Sequence, residues 1–325
     1  MIGREVALSR SARLHRLELP LPLQLRRINI YLVEGPDGLA LVDTGMDTPA
    51  GRDALDRGLR RLGARPERID QVFITHFHLD HFGQAARLQR CGARGLMPRV
   101  DGEQLQRWFH DPELDREALG FFRTLGVPNS TLERMAGAMA QMRAANTPFA
   151  ADRLVDGSGT VELAGIPFEA IETPGHSPGH LCLHHPPSGV LLVGDHVLPH
   201  ITPNISITRD APVDPLGDYR RSLAEVRARG FTGLALPAHG PAMERLDARI
   251  DEILEHHRQR EALVLELMGS RATSCYSLAE RLFETGSLDG WETWMATGET
   301  LAHLRALEVE GRVERTDDGL FRVRT

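Results

Sequence analysis

A chain of 325 residues is too long for one small core and predicts one large and one smaller domain; its 41% hydrophobic and 26% charged content, without any apolar run long enough to span a bilayer, is that of a globular rather than a membrane or disordered protein. A formal charge of −7 argues against nonspecific nucleic-acid binding, and because all 38 basic residues are arginine, chemistry that needs a Schiff-base or phosphate-loop lysine is excluded. Cys91, Cys182 and Cys275 stand far apart and predict reduced, semi-buried thiols, while the arginine-dotted N-terminus has no apolar segment and reads as neither secretory signal nor anchor, which points to the cytoplasm.

In chain order, residues 28–33 and 39–43 read as two strands joined by the turn Gly35-Pro36-Asp37-Gly38, followed by a helix over 49–62. A buried strand over 71–75 ends in a histidine-rich loop, and helix resumes from Phe82 to Arg90. Residues 111–146 predict helices, with Met135, Met139 and Met142 at helical spacing. They fit equally an inserted pair packed on the body and a lid over a pocket, since flexible methionine suits adaptable apolar surfaces. Short strands follow at 161–163, 168–173, 180–184 and 190–193, then a helix over 215–229 and a strand at 233–236. Each half thus runs strands, helix, strands, which predicts two face-to-face sheets with helices outside, an α+β arrangement. Beyond residue 245 the composition shifts to helices over 246–268, 277–283 and 292–310 and a hairpin turning at Asp317-Asp318-Gly319, the outline of a winged-helix domain. The expected division is therefore 1–245, with a helical insertion at 111–146, and 246–325.

The chemistry concentrates in Thr75-His76-Phe77-His78-Leu79-Asp80-His81, four candidate ligands just past an apolar strand. Two histidines one residue apart can point to the same side of an extended segment, and a turn after them can aim Asp80 and His81 at a neighbouring point. Imidazole and carboxylate together suit zinc or a similar first-row metal. Three more pieces end apolar strands beside Gly or Pro: Thr173-Pro174-Gly175-His176, Gly194-Asp195, and Pro237-Ala238-His239. His180 reads as a loop brace, His184 and His185 as surface residues, and His196 and His200 as residues near a pocket mouth. His256 and His257 fit a solvated or domain-bracing face, and Tyr219 either orients substrate or packs.

This order of HxHxDH, GH, GD and a final histidine resembles the metallo-β-lactamase-fold superfamily over residues 25 to 245, with Val42-Asp43-Thr44-Gly45 as a further matching element. The resemblance implies an αββα sandwich with the site along one edge. It implies two divalent cations, zinc foremost and iron or manganese as alternatives: His76, His78 and His176 hold the first, Asp80, His81 and His239 the second, and Asp195 bridges both. Asp43 is implied to orient ligands from behind. The C-terminal region resembles the winged-helix extension of the lactamase-beta-like branch.

Within that family, an aspartate at 195 points away from true β-lactamases and toward glyoxalase-II-like, lactonase-like and nuclease-like branches, and histidine at 78 points away from flavodiiron redox proteins. The implied chemistry is hydrolysis by a metal-bridging hydroxide, with Asp80 holding or moving the proton. The expected substrate is a small thioester, ester or lactone, in a pocket bordered by 111–146 and by 197–209, where Arg209 is a candidate anion ligand. Phe121, Phe122, Met135, Met139 and Met142 would then meet an apolar acyl group. A nuclease or phosphodiesterase and, further off, an iron persulfide dioxygenase are the competing readings. Residues 247–325 carry ten arginines against sixteen carboxylates, so the C-terminal part is expected to serve interaction, such as homodimerisation, rather than nucleic-acid binding.

Overall fold

The structure, a computed structural model, describes residues 2–23, 25–208, 212–283 and 287–324; Arg209 lies outside them. The first sheet has seven strands in sequential order. β1 (Ile2–Ala7), β2 (Arg13–Pro20), β3 (Arg27–Gly35) and β4 (Gly38–Val42) are antiparallel neighbours, and β5 (Gln71–Phe73), β6 (Arg94–Pro98) and β7 (Arg153–Val155) extend the sheet in parallel. The second sheet runs from β8 (Gly159–Leu163) through β9 (Ile166–Glu172) and β10 (Leu181–His185) to β11 (Val190–Gly194), with β12 (Ala235–Pro237) added in parallel.

Alternation along the strands builds the layers, because successive side chains point to opposite faces. Tyr31 and Val33 of β3 join Leu181, Leu183, Val190 and Leu192 between the sheets. Ile28, Ile30 and Leu32 face the other way, onto α1 (Pro49–Arg61), α2 (Leu79–Phe82), α3 (Ala85–Arg90) and α4 (Arg99–His110). Cys182, Leu191 and Val193 face the helices behind the second sheet. The result is the αββα sandwich expected from the sequence. α1 shows local and global signals agreeing: the Thr48 hydroxyl accepts the Gly51 N–H, Pro49 opens the first turn, and Arg60 and Arg61 lie in the last.

The sequence reading missed β1, β2, β6, β7 and α4. The helices over 111–146 are α5 (Leu114–Thr124) and α6 (Asn129–Ala144). They pack together with α7 (Pro215–Ala228), α8 (Leu246–Met268), α9 (Cys275–Phe283) and α10 (Gly290–Val309) in one continuous apolar cluster with the second sheet. β13 (Val313–Arg315) and β14 (Phe321–Val323) close the chain as a two-stranded ladder.

This corrects the pocket reading of the methionine-rich helices. Phe122, Met135 and Met139 are buried against the C-terminal helices, and Phe122 stacks on Trp294 with centroids 4.1 Å apart. The Tyr276 N–H donates to the Leu125 carbonyl at 3.0 Å. Methionine here fills an irregular gap between helices, so spacing alone could not separate a lid from a brace. Phe122→Ala is expected to cost about 3–5 kcal/mol of unfolding free energy, read from the urea midpoint. An unshifted midpoint would refute the bracing role.

Candidate metal centre

Four loops converge at one edge of the sandwich. β5 leads into the segment bearing His76 and His78, and Asp80 and His81 occupy the one-turn helix α2 that follows. His176 sits in the turn between β9 and β10, Asp195 follows β11, and His239 follows β12. β11 and β12 are hydrogen-bonded neighbours, which sets Asp195 beside His239. Two glycines make the turns possible. A Cβ on Gly175 (φ 137°) would collide with the Tyr219 Cβ, and one on Gly194 (φ 49°) would come within 2.5 Å of His180 Nε2.

All seven ligand candidates named from the sequence meet here. His76, His78 and His176 form one set, Asp80, His81 and His239 another, and Asp195 groups with His76 and His81, the donor atoms within each group lying within 4.8 Å of one another. His76 Nε2 is 3.0 Å from His78 Nδ1, and His239 Nε2 is 3.3 Å from Asp80 Oδ2. Asp195 faces both sets: Oδ2 lies 3.5 Å from His176 Nε2 and 3.6 Å from His81 Nε2, and Oδ1 lies 3.6 Å from His239 Nε2. A tetrahedral ion with arms of about 2.0–2.1 Å sets its ligands roughly 3.3 Å apart, so these spacings suit shared cations.

The unpaired atoms agree. Nε2 of His81, His176 and His239 and Oδ1 of Asp195 are buried without a hydrogen-bond partner among the described residues. Each such atom costs about 1–3 kcal/mol, and four gathered at one edge of the sandwich call for cationic partners.

The opposite faces of the imidazoles are held. His176 Nδ1 donates to the Asn204 carbonyl and His239 Nδ1 to the Arg27 carbonyl, both at 2.8 Å. His81 Nδ1 donates to Asp43 Oδ2 at 2.8 Å, and Asp43 Oδ1 accepts the Thr75 N–H at 2.9 Å. These bonds leave Nε2 of each ring with its lone pair toward the centre. Asp43 holds this position at φ 61°, a left-handed conformation that aspartate tolerates better than most side chains. Asp43→Ala is therefore expected to weaken metal binding by the Asp80–His81–His239 set about 10–100-fold, measured by chelator competition. Unchanged affinity would remove Asp43 from that role.

The two sets differ electrostatically. Burial, reinforced by neighbouring imidazoles, holds His76 well below the usual histidine range and His78 down at about 3, so both are neutral donors. Burial works against charge on His81 and His239 too, but Asp43, Asp195 and Asp80 outweigh it for His81, and Asp195 and Asp80 for His239. His81 is raised well above the usual value and His239 to about 9. Burial likewise opposes ionised Asp80, yet His81 and His239 bring it down to about 2. A divalent cation would compete with those protons for Nε2 of His81 and His239, so its binding would release them.

His180 is a brace, as the sequence reading had it: buried, it accepts the Asp195 N–H on Nε2 at 3.2 Å, with the Thr173 hydroxyl 2.7 Å from Nδ1. His185 is not a surface residue; it is buried, with Nδ1 2.8 Å from the Ser188 hydroxyl. Tyr219 packs, fully buried, its hydroxyl donating to the His196 carbonyl at 2.8 Å. His196 is buried as well, and His257 is buried against Tyr219 and His303. Asp101 was not foreseen at all. Its carboxylate accepts the Phe77 N–H at 3.0 Å and the Ser177 hydroxyl and Gly179 N–H at 2.6 Å each, tying the His76–His81 loop to the His176 loop. Burial pushes its pKa up to about 6 against those three donors. A lone acid on a helix carries no sequence signal for that clamp.

The Metallo-beta-lactamase superfamily profile matches residues 23–239, and that of the Metallo-beta-lactamase-like C-terminal domain matches 262–325. The chain belongs to the metallo-beta-lactamase superfamily. It is similar to the probable metallo-hydrolase YqjP of Bacillus subtilis, 27% identical over 90% of this chain and 92% of that protein. It is also similar to an atrochrysone carboxyl ACP thioesterase of Aspergillus fumigatus, 25% identical over 76% of this chain, which spans only 61% of the fungal protein. Among solved structures, a metallo-beta-lactamase family protein of Thermus thermophilus is 28% identical, with a TM-score of 0.85 over 98% of this chain and 100% of that one. As a member of this superfamily the chain is a metal-dependent hydrolase, and its histidine and aspartate groups fit a metal centre. Among the described residues, no helix is long and apolar enough to cross a membrane.

Proposed function

We propose that this superfamily member holds two divalent cations, zinc foremost, and hydrolyses a thioester or carboxylic ester. The observation that carries the reading is Asp195, whose carboxylate faces both histidine sets, Oδ2 toward His176 and His81 and Oδ1 toward His239. In this reading His76, His78 and His176 hold one cation and Asp80, His81 and His239 the other. Bound there, the pair would supply Lewis acidity toward the substrate carbonyl and bring the pKa of a bound water near 7. The residues of the chain set direction and proton traffic. Asp43 and the carbonyls of Asn204 and Arg27 fix the imidazole planes. Asp80, with its side chain 13% exposed against 8% for Asp195, is the carboxylate nearer solvent and the better placed to take the nucleophile's proton and return it to the leaving thiolate or alkoxide.

The fungal thioesterase supports an acyl substrate. The apolar contacts expected from Phe122, Met135 and Met139 do not, since those side chains are buried in the helical cluster. We read the C-terminal helices and ladder as a winged-helix module for protein interaction, homodimerisation included, and the protein as cytoplasmic. Burial of Thr293, Trp294, Ala296, Thr297, Thr300 and Leu301 on α10 weighs against a nucleic-acid role, because a helix committed to a core is not free to enter a groove. The test compares kcat/KM of the metal-reconstituted protein for an acyl thioester and for bis(p-nitrophenyl) phosphate. Preference for the thioester is expected. A phosphodiester preference abolished by His76→Ala would overturn the ester reading and leave the metal site standing.

A further inference from the structure

Residues 201–208 follow the buried Asp195 loop without regular secondary structure, yet Ile205 and Ile207 are buried and the segment is strapped to the C-terminal helices. On α8, Arg249 donates to the Leu198 carbonyl at 2.7 Å and to the Ile201 carbonyl at 2.9 Å. On α10, the Gly298 carbonyl accepts the Ile207 N–H at 3.1 Å and the Met295 carbonyl accepts the Ser206 hydroxyl at 3.3 Å. At the centre of the strap, Asn204 connects two parts of the molecule. Its backbone carbonyl accepts the His176 Nδ1–H at 2.8 Å, and its side-chain amide donates to Glu299 Oε2 of α10 at 2.6 Å.

We infer that Glu299 is a positioning residue for the metal centre: through Asn204 it fixes the carbonyl that orients His176, so the C-terminal helix α10 tunes the affinity of the His76–His78–His176 set. The inference rests on the proposed role of His176 as a ligand. Its physical basis is the absence of a ladder around Asn204. In β11 or β12 the backbone would be held by neighbouring strands. In the strap, two side-chain bonds hold Asn204 next to the carbonyl in question: its amide donates to Glu299 of α10, and its Oδ1 accepts from the Ser206 hydroxyl. An imidazole held by a displaced acceptor turns its Nε2 lone pair off axis, and partners of this kind govern metal affinity. The sequence offered Glu299 only as one more negative charge on the third C-terminal helix.

Zinc affinity, measured by competition with a chromophoric chelator, tests the inference, with thermal unfolding as the control for folding. Glu299→Ala is expected to weaken one of the two zinc ions about tenfold, at the low end for partners behind a ligand, and to leave the other unchanged. Glu299→Gln, which keeps an acceptor oxygen for the Asn204 amide, should retain wild-type affinity. Asn204→Ala keeps the carbonyl but loses both side-chain bonds and should be at least as weak as Glu299→Ala, and the double variant should be no weaker than Asn204→Ala. If Glu299→Ala does not fold, Asn204→Ala carries the same comparison. Folded alanine variants that bind both ions as tightly as wild type, a Gln variant as weak as Ala, or additive losses would each overturn the inference. Wild-type protein that binds no zinc would sink the dinuclear reading and this inference together, whereas two tightly held ions in wild type and alanine variants alike would sink the inference alone.

Discussion

Asp195→Ala is expected to leave a folded protein that has lost more than about 100-fold in kcat/KM, beyond the upper end for residues that only support a ligand. Asp195 is the carboxylate that faces both histidine sets, with Nε2 of His176, His81 and His239 all within 3.6 Å of its oxygens. In the proposed two-ion site, neighbouring dications would repel strongly, and an anion facing both ligand sets would offset that repulsion. Taking the anion away would loosen at least one ion. The fold does not depend on the carboxylate. The Asp195 N–H still reaches His180, and β11 keeps its buried residues on both faces. Asp195→Asn separates charge from shape: if charge is what matters, it should fall as far as alanine. The measurements are zinc per chain by elemental analysis, kcat/KM on an acyl thioester, and a thermal melt. Near-normal turnover in the alanine variant would remove Asp195 from the bridging position.

The second large effect is that of metal removal. Exhaustive chelation is expected to abolish hydrolysis and to lower Tm, and zinc should restore both. A ligand that binds only the native state stabilises it by about 4 kcal/mol when free at a thousandfold its Kd, which for a chain of this size corresponds to roughly 6 °C. The buried, unpartnered nitrogens of His81, His176 and His239 make the native state the one that gains, since the unfolded chain does not bring these rings together. The chelated protein should remain folded at 25 °C, because the three apolar clusters that hold the layers together are made without the metal centre. Hydrolysis surviving chelation, with metal content shown to be near zero, would refute the metal-dependent mechanism. Reconstitution with zinc, manganese and iron in turn identifies which ion supports turnover.

The sequence by itself determined the elements whose signals are local. The apolar runs at β3, β4 and β11, the helix at residues 246–268 and the Asp-Gly hairpin turn all come from periodicity and turn chemistry within a few residues, and they stand where they were read. The HxHxDH loop was legible for the same reason, as spacing along one extended segment and one helical turn. The grouping of His76, His78 and His176 apart from Asp80, His81 and His239 came from the family resemblance, and the geometry brings those groups together. Only the tertiary structure decided what depends on partners distant in sequence. β1, β2 and β6 carry arginine, glycine or proline among their apolar residues and are strands because of the neighbours they pair with. Asp101 became a clamp between two loops, and His185 went inside against the Phe168 ring of the neighbouring strand, centroids 5.4 Å apart. α5 and α6 brace α10 rather than face the site, since an apolar helical stripe records that a face is covered but not by what. The path from Glu299 through Asn204 to His176 joins residues 95 and 28 positions apart, and nothing in local spacing encodes a contact closed only when the layers pack.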